Sequence, residues 1–176
     1  MTRENLERFW VLTAAALNVF VLYAPQPLLP LFASLYTVSE PTAGLIMTAT
    51  MLPLAIAPLS YGYLLGYVQP LRLLRVSLLL LVILTAMTGF VQTFPQLLVV
   101  RFLQGMIIPA SLTAVMAFLA QPGKSGLNLQ RSMSLYVTAT ISGGFLGRLL
   151  AGVSSTFINW QTFFYLLAYI YACCKP

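Results

Sequence analysis

The chain has 176 residues, of which 60% are hydrophobic and only 7% charged, and its mean hydropathy is +0.90. Those values exclude an ordinary soluble globule; several apolar runs of about twenty residues predict a polytopic, all-α membrane protein instead. There is no His and no Asp, and the three acids are Glu4, Glu7 and Glu40, which removes the ligand sets of metal enzymes and the Ser/His/Asp triad. No enzymatic activity, metal or cofactor is therefore expected.

Residues 1–9 read as a short charged head, and residues 10–176 as the membrane domain. The first span is predicted over residues 10–30. It is too long for a signal peptide and has no small-residue cleavage site. Pro25, Pro27 and Pro30 should distort its outer end, because proline removes a backbone donor and leaves a carbonyl that lipid cannot satisfy. Asn18, Tyr23 and Gln26 are its polar residues, each either a helix–helix hydrogen bond or a contact for a solute.

Ser39-Glu40-Pro41 reads as a helix start, with a capping hydroxyl, an acid at the positive end of the dipole and an early proline. The second span, residues 41–66, contains Pro53, Pro58, Gly62 and Gly66. A short link holding Pro70, with Arg72 and Arg75, leads to the third span, residues 73–91. Its leucine run looks like a lipid-facing surface without a functional role, so Ser77→Leu is expected to be tolerated.

The fourth span, residues 97–120, carries a single charge, Arg101. Gly105 and Pro109 follow at steps of four and share its face. An arginine at membrane depth costs at least a few kcal/mol without a partner, water or the interface. Arg101 therefore either snorkels to the headgroups or faces a polar cavity, with Gln104 beside it. A polar loop with Lys124 and Arg131 leads to the fifth span, residues 132–153. There Ala139, Gly143, Gly147 and Ala151 make an i, i+4 ladder of small residues that allows close helix approach. Gly144, Arg148 and Gly152 form the neighbouring ladder. The sixth span, residues 156–174, is just long enough to cross, and ends near the adjacent pair Cys173 and Cys174, which is no disulfide framework.

Charge placement tests this parsing. With the N-terminus cytoplasmic, the inner segments hold Arg3, Arg8, Arg72, Arg75, Lys124, Arg131 and Lys175, while the outer loops hold no Lys or Arg. That asymmetry is a strong positive-inside signal. It predicts six spans with both termini cytoplasmic, and it accounts for the net charge of +6 without a nucleic-acid partner.

Gln26-Pro27-x-x-Pro30, then Arg101-Phe102-Leu103-Gln104-Gly105 with Pro109, then Ser142-Gly143-Gly144-Phe145-Leu146-Gly147-Arg148 resemble the N-terminal half of major facilitator superfamily transporters. The likeness spans nearly the whole chain and is nearest to the bacterial branch of drug and small-solute efflux proteins. It implies a six-helix half of such a transporter in a bacterial inner membrane. Asn18, Tyr23, Gln26, Arg101, Gln104 and Arg148 would line the substrate pathway. Gly62, Gly66, Gly105, Pro109, Ala139, Gly143, Gly144, Gly147 and Ala151 would serve helix packing and gating. The family's link between spans 2 and 3 has the form Gly-x-Leu-x-Asp-Arg-x-Gly-Arg-Lys. Here Gly62 and Leu64 match, but Gly66 stands in place of the acid and Gln69, Pro70 and Leu71 replace the glycine and basic pair. The usual charge relay cannot form from these residues.

The resemblance also covers only one half, and a single half has one wall of a cavity and nothing to rock against. The expected partners are the lipid bilayer, a small-molecule substrate and a second six-helix half, missing from this chain or supplied by a homodimer. Transport of a small solute by alternating access is the leading reading. A non-transporting remnant, or a small protein that binds other membrane helices through the fifth span, is the alternative. Two arginines on a cavity would suit an anionic or polar solute, unless an acidic second wall inverts that preference.

Overall fold

The computed structural model describes residues 3–64, 66–121 and 129–173. Its helices are α1 (Arg3–Tyr23), a 3-10 turn (Gln26–Leu28), α2 (Leu29–Leu35), α3 (Glu40–Ala43), α4 (Leu45–Leu64), α5 (Pro70–Phe90), α6 (Phe94–Leu119), α7 (Leu129–Phe157) and α8 (Trp160–Cys173). Five stretches are long and apolar enough to cross a membrane: Leu6–Leu35, Glu40–Leu64, Pro70–Phe90, Phe94–Leu119 and Leu129–Phe157. The remaining helix, α8, has 14 described residues, about 21 Å at a 1.5 Å rise, short of a hydrocarbon core of about 30 Å.

Helix starts follow local chemistry. Ser39 caps α3 by accepting from the Thr42 amide, with Pro41 in the first turn and Glu40 at the positive end. Thr93 and Gln96 form a capping box on α6, with Gln96 Oε1 accepting from the Gln92 and Thr93 amides at 3.3 Å each. Pro70 occupies the first turn of α5, where its missing N–H removes no helical bond.

Several boundaries differ from the sequence expectation. The charged head is not a separate segment, since α1 is already helical from Arg3. The first transit runs on to Leu35 because the prolines convert the helix to a 3-10 turn rather than ending it. The second is split at Gly44 into α3 and α4. The fifth continues to Phe157, so the sixth begins at Trp160 and not at residue 156. Lys124, Cys174 and Lys175 lie outside the described residues.

The leucine run of α5 is not simply a lipid-facing surface. Ser77, Leu78, Leu81, Leu84, Thr85 and Thr88 are buried, while Val76, Leu79, Leu80 and Ile83 are exposed. The buried stripe packs between α6 and α8. Ser77, only 2% exposed, is thus a core position where a leucine would overfill the space.

The bundle is organised around α1 and α6, which touch each other. Helix α7 lies along α1, α4 lies along α6, and α5 with α8 backs them. The two flanking transits are the least covered. Only 22% of the apolar window is buried in Glu40–Leu64 and in Leu129–Phe157, against 50–56% in the other three.

Small residues set the closest approaches. A Cβ on Gly143 would collide with the Ala16 carbonyl oxygen, and one on Gly147 would lie 2.6 Å from that of Phe20. Ala151 is buried one step further along and Ala139 is half-buried at the other end, so the ladder is the seam between α7 and α1. Apolar burial does not drive helices together in lipid, and close dispersion contact has to do so instead. Gly143→Ala and Gly147→Ala should each cost about 1–3 kcal/mol by overpacking against backbone. Leu79→Ala on the exposed face of α5 should stay within ~0.5 kcal/mol. Thermal melting of the three variants in detergent checks this, and an equal loss at Leu79 would mean that the seam carries no special weight.

Candidate functional site

The site grows from a break in the first transit. In a regular helix the Val21 carbonyl accepts from the amide of residue 25, but Pro25 has none. The last regular bond is from the Ala24 amide to the Phe20 carbonyl, 2.9 Å, after which the Leu28 amide reaches back to Pro25 at 3.0 Å as a 3-10 turn. The Val21 carbonyl is therefore left over inside the bundle.

Arg101 satisfies it. The side chain of this α6 residue is only 1% exposed, and NH1 donates to the Val21 carbonyl at 3.2 Å. Its guanidinium lies 5.3 Å from the centre of the Phe164 ring on α8, a desolvated cation–π contact of about 2 kcal/mol. Nε and NH2 have no acceptor among the described residues. The sequence offered snorkelling or an open cavity. The side chain does neither, pointing inward to the backbone of α1.

Arg148 grips the other side of the same break. Nε donates to Gln26 Oε1 at 2.6 Å, and the guanidinium stacks 3.8 Å above the Tyr23 ring. Tyr23 and Gln26 stand three residues apart across the break, and Arg148 is exposed on α7. Tyr23 and Arg148, together with Val19, Thr140, Ile141 and Gly144, line an open groove of about 300 Å³ between α1 and α7. Gly144 lets α1 pack closely at the base of the groove, since a Cβ there would sit 3.2 Å from both Val19 and Tyr23.

Asn18, Gln104, Gly105 and Pro109 lie inside the bundle. Asn18, fully buried, donates through Nδ2 to Ser111 Oγ and accepts from the Tyr171 hydroxyl at 2.8 Å, tying α1 to α6 and α8. Gln104 points toward α5, where Nε2 donates to Thr88 Oγ1 at 3.3 Å and approaches Thr85 Oγ1 at 3.5 Å. Gly105 lies against α4, where an added Cβ would strike the Thr50 carbonyl oxygen and come within 2.7 Å of Pro53. Pro109 is buried inside α6. Gly62 has nothing within 4 Å and Gly66 sits in the turn after α4, so neither joins two helices among the described residues. In the same segment the Tyr63 and Tyr67 hydroxyls share a hydrogen bond of 3.0 Å. Thr85, Thr88, Ser111, Phe164 and Tyr171 were not singled out in the sequence. The signal for the first two was their i, i+3 spacing within an otherwise apolar helix.

The family model of the Major Facilitator Superfamily matches residues 11–174, and the chain belongs to that family, a family of membrane transporters. It is 30% identical over 149 residues to the MFS-type transporter YybF of Bacillus subtilis, covering 84% of this chain and 37% of that protein. It is 27% identical over 151 residues to the inner membrane transport protein YnfM of Escherichia coli, covering 85% and 36%. The chain thus spans just over a third of the length of these relatives. Its fold resembles the crystal structure of a bacterial homologue of the human lysosomal transporter Spinster, inward-facing and unoccupied. That match has a TM-score of 0.73 and 14% identity, and covers all of this chain and 44% of the other. The family and the apolar helices together make this an integral membrane protein with an all-α transmembrane bundle.

If Arg101 holds the break, Arg101→Met should loosen it locally. Amide exchange at Ala24, Gln26, Leu28 and Leu29 should quicken about tenfold, ~1.4 kcal/mol of local opening. The global melting point should move little, because losing a charge-assisted hydrogen bond of about 1.5–3 kcal/mol offsets the relief of a buried, part-satisfied cation. Unchanged exchange at those amides would show that the carbonyl contact is incidental.

Proposed function

We propose that this chain acts as the N-terminal six-helix half of a secondary transporter that moves a small solute by alternating access. A second six-helix half, in the same polypeptide or another, completes the cavity. The observation that carries this reading is the polar Arg148–Tyr23–Gln26 groove on the α1–α7 face, flanked by the sparsely covered α7. An exposed arginine between lipid-facing leucines would be costly, whereas one in the water-filled space between two halves is not. The pathway residues on this half are then Tyr23, Gln26 and Arg148. Arg101, Gln104 and Asn18 fix the helices behind them. Similarity to the Escherichia coli inner membrane transport protein YnfM supports the same location here, and the resemblance of the motifs to the efflux branch supports efflux as the direction. The charge asymmetry of the loops supports cytoplasmic termini.

Co-expression with a compatible second half in vesicles tests the reading. Solute flux should appear only with both halves, and Arg148→Gln should reduce it about tenfold or more, ~1.4 kcal/mol. Arg101→Met should lower it less. Absence of flux from two folded, associated halves would leave a helix-binding membrane protein. Orientation is checked by cysteine labelling in intact cells. Probes at Gln92 and Asn159 should react from outside, and one at Gln69 only after permeabilisation. Labelling of Gln69→Cys in intact cells would overturn the assigned topology.

A further inference from the structure

We propose that the α1–α7 groove binds the carboxylate of a small amphipathic solute, with Arg148 as its anion-recognising group. This assignment deepens the transport reading and rests on it for the solute's route, but the binding step is a property of this chain alone. A guanidinium offers five N–H donors in one plane. In Arg148 the Nε donor is taken by Gln26 at 2.6 Å and one face of the plane by the Tyr23 ring at 3.8 Å. The NH1/NH2 edge has no protein acceptor among the described residues, and this edge matches the two oxygens of a carboxylate. The stack and the Gln26 bond hold the plane in place, so little rotamer freedom remains to be lost on binding.

The rest of the groove selects what is attached to that carboxylate. Val19 and Ile141 supply apolar walls for the body of the solute, and Gly144 lets Val19 and Tyr23 pack closely against α7 beneath it. Thr140, eight residues before Arg148 on α7 and so about 12 Å away along the helix, marks the far end. A volume of about 300 Å³ sits at the small end of ligand sites, which fits a monocarboxylate with a short aliphatic or aromatic body. Among the described residues no carboxylate is paired with Arg148, so the counter-charge is left for the solute to bring.

The test uses the purified chain and equilibrium dialysis of acetate, hexanoate and phenylacetate, each against its uncharged amide. Measurements are made both in maltoside micelles and in phosphatidylcholine nanodiscs. The expected result is that at least one acid binds ten times or more tightly than its amide in both settings. Arg148→Gln should abolish that difference and Arg148→Lys should reduce it, with helicity by circular dichroism unchanged. Ile141→Ala, on the exposed wall of the groove, should weaken hexanoate and phenylacetate while sparing acetate. Equal binding of acids and amides in the wild type overturns the proposal, as does full retention in Arg148→Gln. Binding that equimolar inorganic phosphate displaces would identify the groove as a phosphate site and also overturn it. Carboxylate-selective binding without flux in the two-half assay would overturn the transport reading alone. Flux of solutes lacking a carboxylate, with no selectivity in dialysis, would overturn this assignment alone.

Discussion

The hydrogen bond from Arg101 to the Val21 carbonyl is the interaction that fixes the bend in the first transit, and with it the face that the groove is built on. A proline in a membrane helix frees a carbonyl, and lipid has nothing to offer it. The usual remedies are water or a hydroxyl. Here a cation from α6 reaches across, and its own burial is eased by the Phe164 ring. Two expensive groups, an orphan carbonyl and a buried charge, are made cheaper by meeting. The consequence is positional. With the break pinned from inside, Tyr23 and Gln26 stay on the opposite face, where they hold Arg148 by stacking and by a hydrogen bond. One arginine stabilises the bend and the other uses what the bend presents.

Around that point the fold uses one packing device twice. Helix α7 approaches α1 through Gly143 and Gly147, against carbonyls of Ala16 and Phe20. Helix α6 approaches α4 through Gly105, against the Thr50 carbonyl beside Pro53. The fifth transit meets the first as the second meets the fourth. This is the order expected when three helices repeat, inverted, in the next three, as in each half of a major facilitator. The two seams hold α7 and α4 as outriggers on the central pair, and leave most of their surface uncovered.

Much of this was legible from residue types. Composition gave the class, and the ladder in the fifth transit pointed to a close approach that the structure realises on α1; of the six transits expected from charge placement, five are long and apolar enough to cross among the described residues. What could not be read was the direction in which single polar residues face. The i, i+4 steps place Arg101, Gly105 and Pro109 on one side of α6, but not which helix lies there. The distinction between snorkelling, a cavity and a backbone acceptor depends on α1, eighty residues earlier. Likewise the run around Ser77 is apolar on all sides, so periodicity could not separate the stripe facing α8 from the stripe facing outward. The prolines were recognised as disruptive, yet the first transit extends past them. A 3-10 turn keeps the chain helical at a tighter pitch, and the missing bond is supplied from another helix.

Exposure alone argues little about partners in such a bundle. Apolar side chains such as Ile56, Leu59 and Phe145 are as well solvated by acyl chains as by another helix, so the bare flanks of α4 and α7 are compatible with plain lipid. The discriminating feature is the polar part of the α7 flank. Arg148 is too far from the end of α7, nine residues before Phe157 and so about 13 Å along the axis, to reach the interface without abandoning Gln26 and Tyr23. Its charge therefore requires water or an anion beside it at that depth. On the transport reading proposed above, a facing second half would line that water. One exposed arginine, held in place by residues that a proline-broken helix turns toward it, is thus what sets this flank apart from a lipid-facing surface.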